Sequence, residues 1–153
     1  MILEAIYTKW KSISAITDII GTDPCNLFFT HVPTELKKAN GRRVDVKPPW
    51  IVITILGGGS ELHMSGDTGL AADEFAVEFT STSTLKAMTL ADTVRKSVNT
   101  FNHGLWGTTF IETAFLDDPR DVTPQPVTGA DVEWPTVLAG LELSFQRTAA
   151  SPT

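Results

Sequence analysis

Residues 74–79, EFAVEF, alternate without a break. Phe75, Val77 and Phe79 share one side of an extended chain, and Glu74, Ala76 and Glu78 share the other. That period of two predicts a strand whose Phe-Val-Phe side is buried and whose carboxylates face water. The period then changes. Leu85, Met88, Ala91, Val94, Val98 and Phe101 recur at helical spacing over 85–101, with Lys86, Asp92, Arg95 and Lys96 outside the stripe. Ser83 or Thr84 stands where a helix N-cap belongs, and "NHG" ends the run. A strand with one apolar face needs a cover, and helices supply it.

The same patterns recur along the chain. Leu3, Ile6, Tyr7, Trp10, Ile13, Ile16 and Ile20 form one stripe, predicting an amphipathic helix over 2–20 that stops at Gly21 and cannot pass Pro24. A short strand, NLFFTHV, follows. WIVITIL (50–56) is continuously apolar and rich in β-branched residues, as expected of a central strand buried on both faces. Its link to the alternating strand, GGGSELHMSGDTG, reads as a long β-hairpin. Two further strands are expected over 107–117 and 136–147, separated by a Pro- and Asp-rich loop over 117–135. The expected fold is α+β: a mainly antiparallel four-stranded sheet with two helices on one face, in the order α-β-β-β-α-β-β. One domain over 1–147, followed by a flexible tail over 148–153, accounts for the length.

Charge sharpens this picture. The chain carries a net charge of −6, which argues against wrapping nucleic acid through general electrostatics. Within that acidic background, PTELKKANGRRVDVKPP (33–49) gathers Lys37, Lys38, Arg42, Arg43 and Lys47 around an Asn40-Gly41 turn. Such a cluster is either a solvated loop or a contact surface for an acidic partner. The N-terminus lacks the plan of a signal peptide, and no apolar run reaches the roughly 20 residues of a membrane helix. A soluble protein, made in the cytoplasm, is expected.

Chemistry finds little purchase. Cys25 is the single cysteine, so no internal disulfide forms. It reads as a packing residue rather than a nucleophile. The glycines at 57–59 lack the Lys-Ser/Thr and the following helix of a phosphate-binding loop. His31, His63 and His103 share no metal-ligand spacing. Asp117, Asp118 and Asp121 could hold a divalent cation, but in a Pro-rich loop plain solvation is the preferred reading. Ser60 after three glycines lacks the Gly-x-Ser-x-Gly elbow. No catalytic residue, metal site or cofactor is expected. Of the tryptophans, Trp10 and Trp50 read as core, while Trp106 and Trp134 sit at element boundaries, where interface anchors also occur.

The layout resembles the tail terminator or tail completion (tail-to-head joining) proteins of long-tailed bacteriophages. The likeness rests on a Pro49-Trp50 entry into an apolar strand and a Gly66-Asp67 and Gly69-Leu70 turn. The alternating Phe75 and Val77 and the Leu90, Ala91 and Val94 helix complete it. The resemblance implies a non-enzymatic virion protein that closes into a six-fold ring at the head-proximal end of the tail tube. Its partners would be further copies of itself, the major tail tube protein and the head-completion or connector protein, with genomic DNA passing through unrecognised. Lys37, Lys38, Arg42, Arg43, Lys47, Asp117, Asp118, Asp121 and Trp134 are then candidates for subunit or partner contacts, and Glu74 and Glu78 for the ring opening. Another neck component, a ligand-binding module between helices and sheet, and a metal-dependent hydrolase are the alternatives.

Overall fold

The computed structural model describes residues 2–63, 66–122 and 134–146. Among these residues, a seven-stranded mixed sheet is joined by three helices, α1 (Ile2–Lys11), α2 (Ser14–Ile20) and α3 (Thr84–Thr100). The order across the sheet starts with β1 (Leu27–Phe29), β4 (Trp50–His63) and β5 (Gly66–Thr80). It continues through β9 (Thr136–Gln146), β7 (Thr109–Leu116) and β6 (Gly104–Trp106), while the short β8 (Arg120–Asp121) also pairs with β9. A separate two-stranded sheet joins β2 (Glu35–Lys37) to β3 (Arg43–Asp45).

This corrects the expected four-stranded, mainly antiparallel sheet with two helices. The sheet is larger, and β1 runs parallel to β4 in the register Leu27↔Ile51 to Phe29↔Ile53. Parallel neighbours need a crossover of a dozen or more residues, which the 30–49 segment supplies. The expected single helix over 2–20 is two helices. The break lies at Ser12 and Ile13, where Ile13 is extended (φ −89°, ψ 109°) and the Ser12 hydroxyl donates to the Lys9 carbonyl at 2.6 Å. A serine that bonds its own backbone in this way competes with helix propagation.

β4 and β5 pair antiparallel from Trp50↔Thr80 to His63↔Gly66, with irregularities at Ile55/Gly57 and Ser60/Leu62. The glycine run is part of this ladder, with Gly57, Gly58 and Gly59 opposite Glu74, Asp73 and Ala72. It is strand, not an anion-cradling loop. The expected burial of residues 50–56 on both faces holds only for Ile51, Val52 and Ile53. Ile55 is 51% exposed and Leu56 64%, because β1 ends opposite Ile53 and, among the described residues, no strand covers that edge of β4 further on. The other edge of the sheet is better closed. Past β6, the Leu116 N–H donates to Asn99 Oδ1 at 3.4 Å, and His103 Nδ1 meets the Glu112 carbonyl at 3.0 Å.

Ser83 is the N-cap of α3, its hydroxyl accepting from the Lys86 N–H at 3.2 Å. The buried stripe of α3 is Ala87, Leu90, Ala91, Val94 and Val98. Leu85, Met88 and Phe101, expected on that stripe, are exposed. The core joins this stripe to Phe75, Val77 and Phe79 of β5, to Val137, Ala139, Leu141 and Leu143 of β9, and to Ile6, Trp10, Ile16 and Ile20 of the first two helices. Trp106 is also buried, donating its indole N–H to the Phe101 carbonyl at 3.0 Å, whereas Trp50 is only partly covered.

Candidate functional site

Two surfaces of opposite charge stand out, and each begins with a cross-strand pair of like charges. The first is the β2–β3 hairpin. Its turn closes with the Lys38 N–H donating to the Arg42 carbonyl at 2.8 Å and the Gly41 N–H to the Lys38 carbonyl at 2.9 Å. Gly41 takes φ +86°, a left-handed value that the Asn-Gly sequence anticipates, and Asn40 Oδ1 accepts from the Arg42 N–H at 2.9 Å. In this register Lys37 lies directly opposite Arg43. Arg43 reaches Glu35 only at 3.9 Å between exposed side chains, and the described residues give Lys37, Lys38, Arg42 and Lys47 no ion pair.

The hairpin is tethered to the body at both ends. Asp23 Oδ1 accepts from the Ala39 N–H at 2.9 Å, beside the turn. Asn26 Nδ2 donates to the Lys47 and Pro49 carbonyls at 3.0 and 3.1 Å, where the chain re-enters the sheet. Residues 33–49 therefore form a held arm that presents cations.

The second surface is the sheet face opposite the helices. Here Gly57, Glu74, Glu142 and Phe115 stand side by side across four strands. Glu74 and Glu142 are directly opposed and exposed, and no ion-pair partner exists for either among the described residues. Phe115, 54% exposed, and Leu56 flank them around a depression of about 190 Å³. Asp117 lies on the same face, where its Oδ1 accepts from the Gly140 N–H at 2.7 Å. Gly140 makes room for that carboxylate, since a Cβ there would stand 3.0 Å from Asp117 Oδ2. Glu78 adds a further exposed carboxylate between Val52 and Leu138.

Like charges directly opposed across a ladder destabilise it. Replacing Glu142 by Gln is therefore expected to stabilise the free subunit by roughly 0.2–1 kcal/mol, read as a higher urea midpoint. A lower midpoint would mean that the pair is compensated within the subunit.

The remaining sequence candidates are dispersed. Asp118 faces Arg95 at 3.9 Å, and Asp121 sits in β8 opposite Val137. Trp134 is partly exposed at the end of its loop, whose residues 123–133 lie outside the described residues, as does the 147–153 end. Asp117, Asp118 and Asp121 thus do not act as one cluster, and among the described residues no group of three or more potential metal ligands forms. Glu142, Phe115 and Leu56 were not among the sequence candidates. The polar position of Glu142 within LELSF carried a readable signal for it, by the same alternation that placed Glu74.

Elsewhere, burial pushes the Cys25 thiol up, against smaller opposing effects of Lys11 and the Leu27 backbone. That suits packing rather than nucleophilic attack. On α3, hydrogen bonds from Lys96 and then Arg95 hold the Asp92 carboxyl below its ordinary range, and the same contact raises the Arg95 guanidinium. These groups form a local surface network of distances 2.8 and 2.9 Å. Among the described residues no helix is long and apolar enough to cross a membrane.

A chain from the virion of a native gene transfer agent (GTA) particle has the same fold. The two superpose with a TM-score of 0.57 over 92% of this chain and 91% of that one, at 10% sequence identity. No family model and no curated protein matches the sequence.

Proposed function

We propose that this chain is a structural virion protein of a phage-like particle, and within that class a tail terminator. In this reading, copies of the chain close into a hexameric ring on the head-proximal end of the tail tube. The ring ends tube growth and offers a surface to the head's connector, while DNA passes through without specific binding. No reaction, metal or cofactor is assigned to it. The observation that carries the proposal is the end-to-end likeness of fold to a virion chain, 92% of one against 91% of the other. The motif resemblance over Pro49, Trp50, Gly66, Asp67, Phe75, Val77, Leu90, Ala91 and Val94 agrees with it. Two surfaces of opposite charge on different elements also suit a protein that works in repeated copies.

Particles from cells that express the gene, analysed by mass spectrometry, are expected to contain the chain. Removing the gene is expected to leave tubes of uncontrolled length that do not join heads. Heads that leak DNA beside tails of normal length would reassign the protein to another neck position. Complete, infectious particles without the chain would end the virion reading.

A further inference from the structure

We infer that the β2–β3 hairpin of one subunit docks on the acidic sheet face of a second copy, around Glu74, Glu142 and Phe115. This deepens the assembly reading above and rests on it. Three observations combine. The hairpin carries Lys37 directly opposite Arg43, next to Glu35 opposite Asp45, and is net cationic with Lys38, Arg42 and Lys47, while the sheet carries Glu74 directly opposite Glu142. Each pair is locally unfavourable, and neither carboxylate has a counter-ion within the described part of its own chain. Each deficit is met by the other surface. A fold that keeps two such pairs of opposite sign loses stability as a free subunit and recovers it on contact.

The chemistry of the sheet face also fits long cationic side chains. Leu56, 64% exposed, and Phe115 flank the two carboxylates. The aliphatic stem of a lysine or arginine lies on such apolar flanks while its head reaches a carboxylate. An arginine can also stack on the Phe115 ring while bonding Glu142, which a lysine does less well. Asp117, fixed over Gly140, adds a third carboxylate to the depression.

Both halves of the contact are present on this one chain, so a second copy supplies the complement of each. Among the described residues the hairpin strands pair only with each other, and the hairpin is tied to the body through Asp23 and Asn26, beside the β1 edge. The carboxylates sit on β5 and β9, in the middle of the sheet. Two different patches on different elements define a head-to-tail contact, which either closes into a ring or continues as a filament. Attraction between them also raises the rate of encounter and falls with added salt.

The test uses two double variants of the full chain, K37E/R43E and E74K/E142K, with molar mass measured by light scattering. Each variant keeps a like-charge pair at the altered position, and because K37E/R43E also removes the Arg43–Glu35 contact beside the Glu35–Asp45 pair, circular dichroism checks that the subunit still folds. Wild type is expected to self-associate, more weakly as salt rises. Each variant alone is expected to associate on the order of 100-fold more weakly, because like surfaces now meet. An equimolar mixture is expected to regain association, since each reversed surface finds its complement on the other variant. If a reversed hairpin does not fold, Lys37→Gln with Arg43→Gln is expected to weaken association by about tenfold without adding repulsion. Association of either variant at wild-type strength, or folded variants whose mixture stays apart, would overturn the docking surface. So would a wild type that stays at monomer mass at high concentration. None of these results bears on whether the chain is found in particles, so the virion reading stands or falls separately on mass spectrometry.

Discussion

Replacing Phe75 by alanine is expected to destabilise the subunit by about 3–5 kcal/mol, measured as a fall in the free energy of urea unfolding. Phe75 is fully buried on the central strand β5 and shares a row with Leu141 of β9 and Leu116 of β7. Two mechanisms add. The aromatic ring loses its transfer free energy, and the space it leaves cannot close. Collapse is resisted because β5 is held by ladders on both sides, to β4 and to β9, while α3 packs against the same strand. Domains of this kind are stable by only about 5–15 kcal/mol, so the loss would take a large share of the total. Soluble yield should fall with it. A loss below about 1 kcal/mol would mean that the sheet and α3 can move together, and that the core is less rigid than the register implies.

Replacing Gly21 by valine is expected to cost about 1–3 kcal/mol from backbone strain alone, with a steric term added. Gly21 ends α2 at φ +88°, its N–H donating to the Thr17 carbonyl at 2.8 Å. A β-branched residue is a genuine outlier at such an angle. Its Cβ would also stand 3.0 Å from the Pro24 carbonyl, a backbone atom that cannot swing aside. The damage should spread beyond the helix end. The same turn carries Asp23, which holds the hairpin at Ala39, and leads into Cys25 and Leu27 of the core. A lower melting temperature, with faster amide exchange at Ala39, is the expected result. Gly57 is the contrast, because a Cβ there meets nothing within 4 Å. Alanine at Gly57 that lowered stability as much as valine at Gly21 would remove the strain argument.

These two positions differ in how readable they were. The burial of Phe75 followed from alternation alone, because a half-covered strand writes its faces into the sequence with period two. Gly21 was legible as a helix terminator, although not its clash with Pro24, which depends on the turn. The apolar run over 50–56 was misleading at its end. Hydrophobicity announced cover for Ile55 and Leu56, but cover depends on where β1 stops, and no local pattern in residues 54–56 records that. The helix break at Ser12 and Ile13 was hidden because the apolar spacing runs on through it.

The parallel pairing of β1 and the β2–β3 hairpin were equally opaque. β2 and β3 carry one apolar residue each, Leu36 and Val44, too few to declare a strand, although the Asn40-Gly41 turn between them was visible. The cationic half of the candidate interface is therefore legible as a run of charges around a turn, but not as a pair of strands. Its acidic half was found only in part. Glu74 and Glu78 were placed on the open face by alternation, while Glu142 and Phe115 become their neighbours only through the pairing of β5, β9 and β7. Long-range registers of that kind are set by tertiary packing, not by local preference.

The one-sided cover of β5 has a genetic consequence. Between residues 74 and 79, successive codons specify opposite sides of a single strand. Lesions at Phe75, Val77 or Phe79 would empty the cell of usable polypeptide. On the docking proposed above, lesions at Glu74 would leave plentiful, well-formed polypeptide that its neighbours no longer recognise. Adjacent triplets would thus yield two interleaved kinds of defective allele, sorted by parity rather than by distance along the gene.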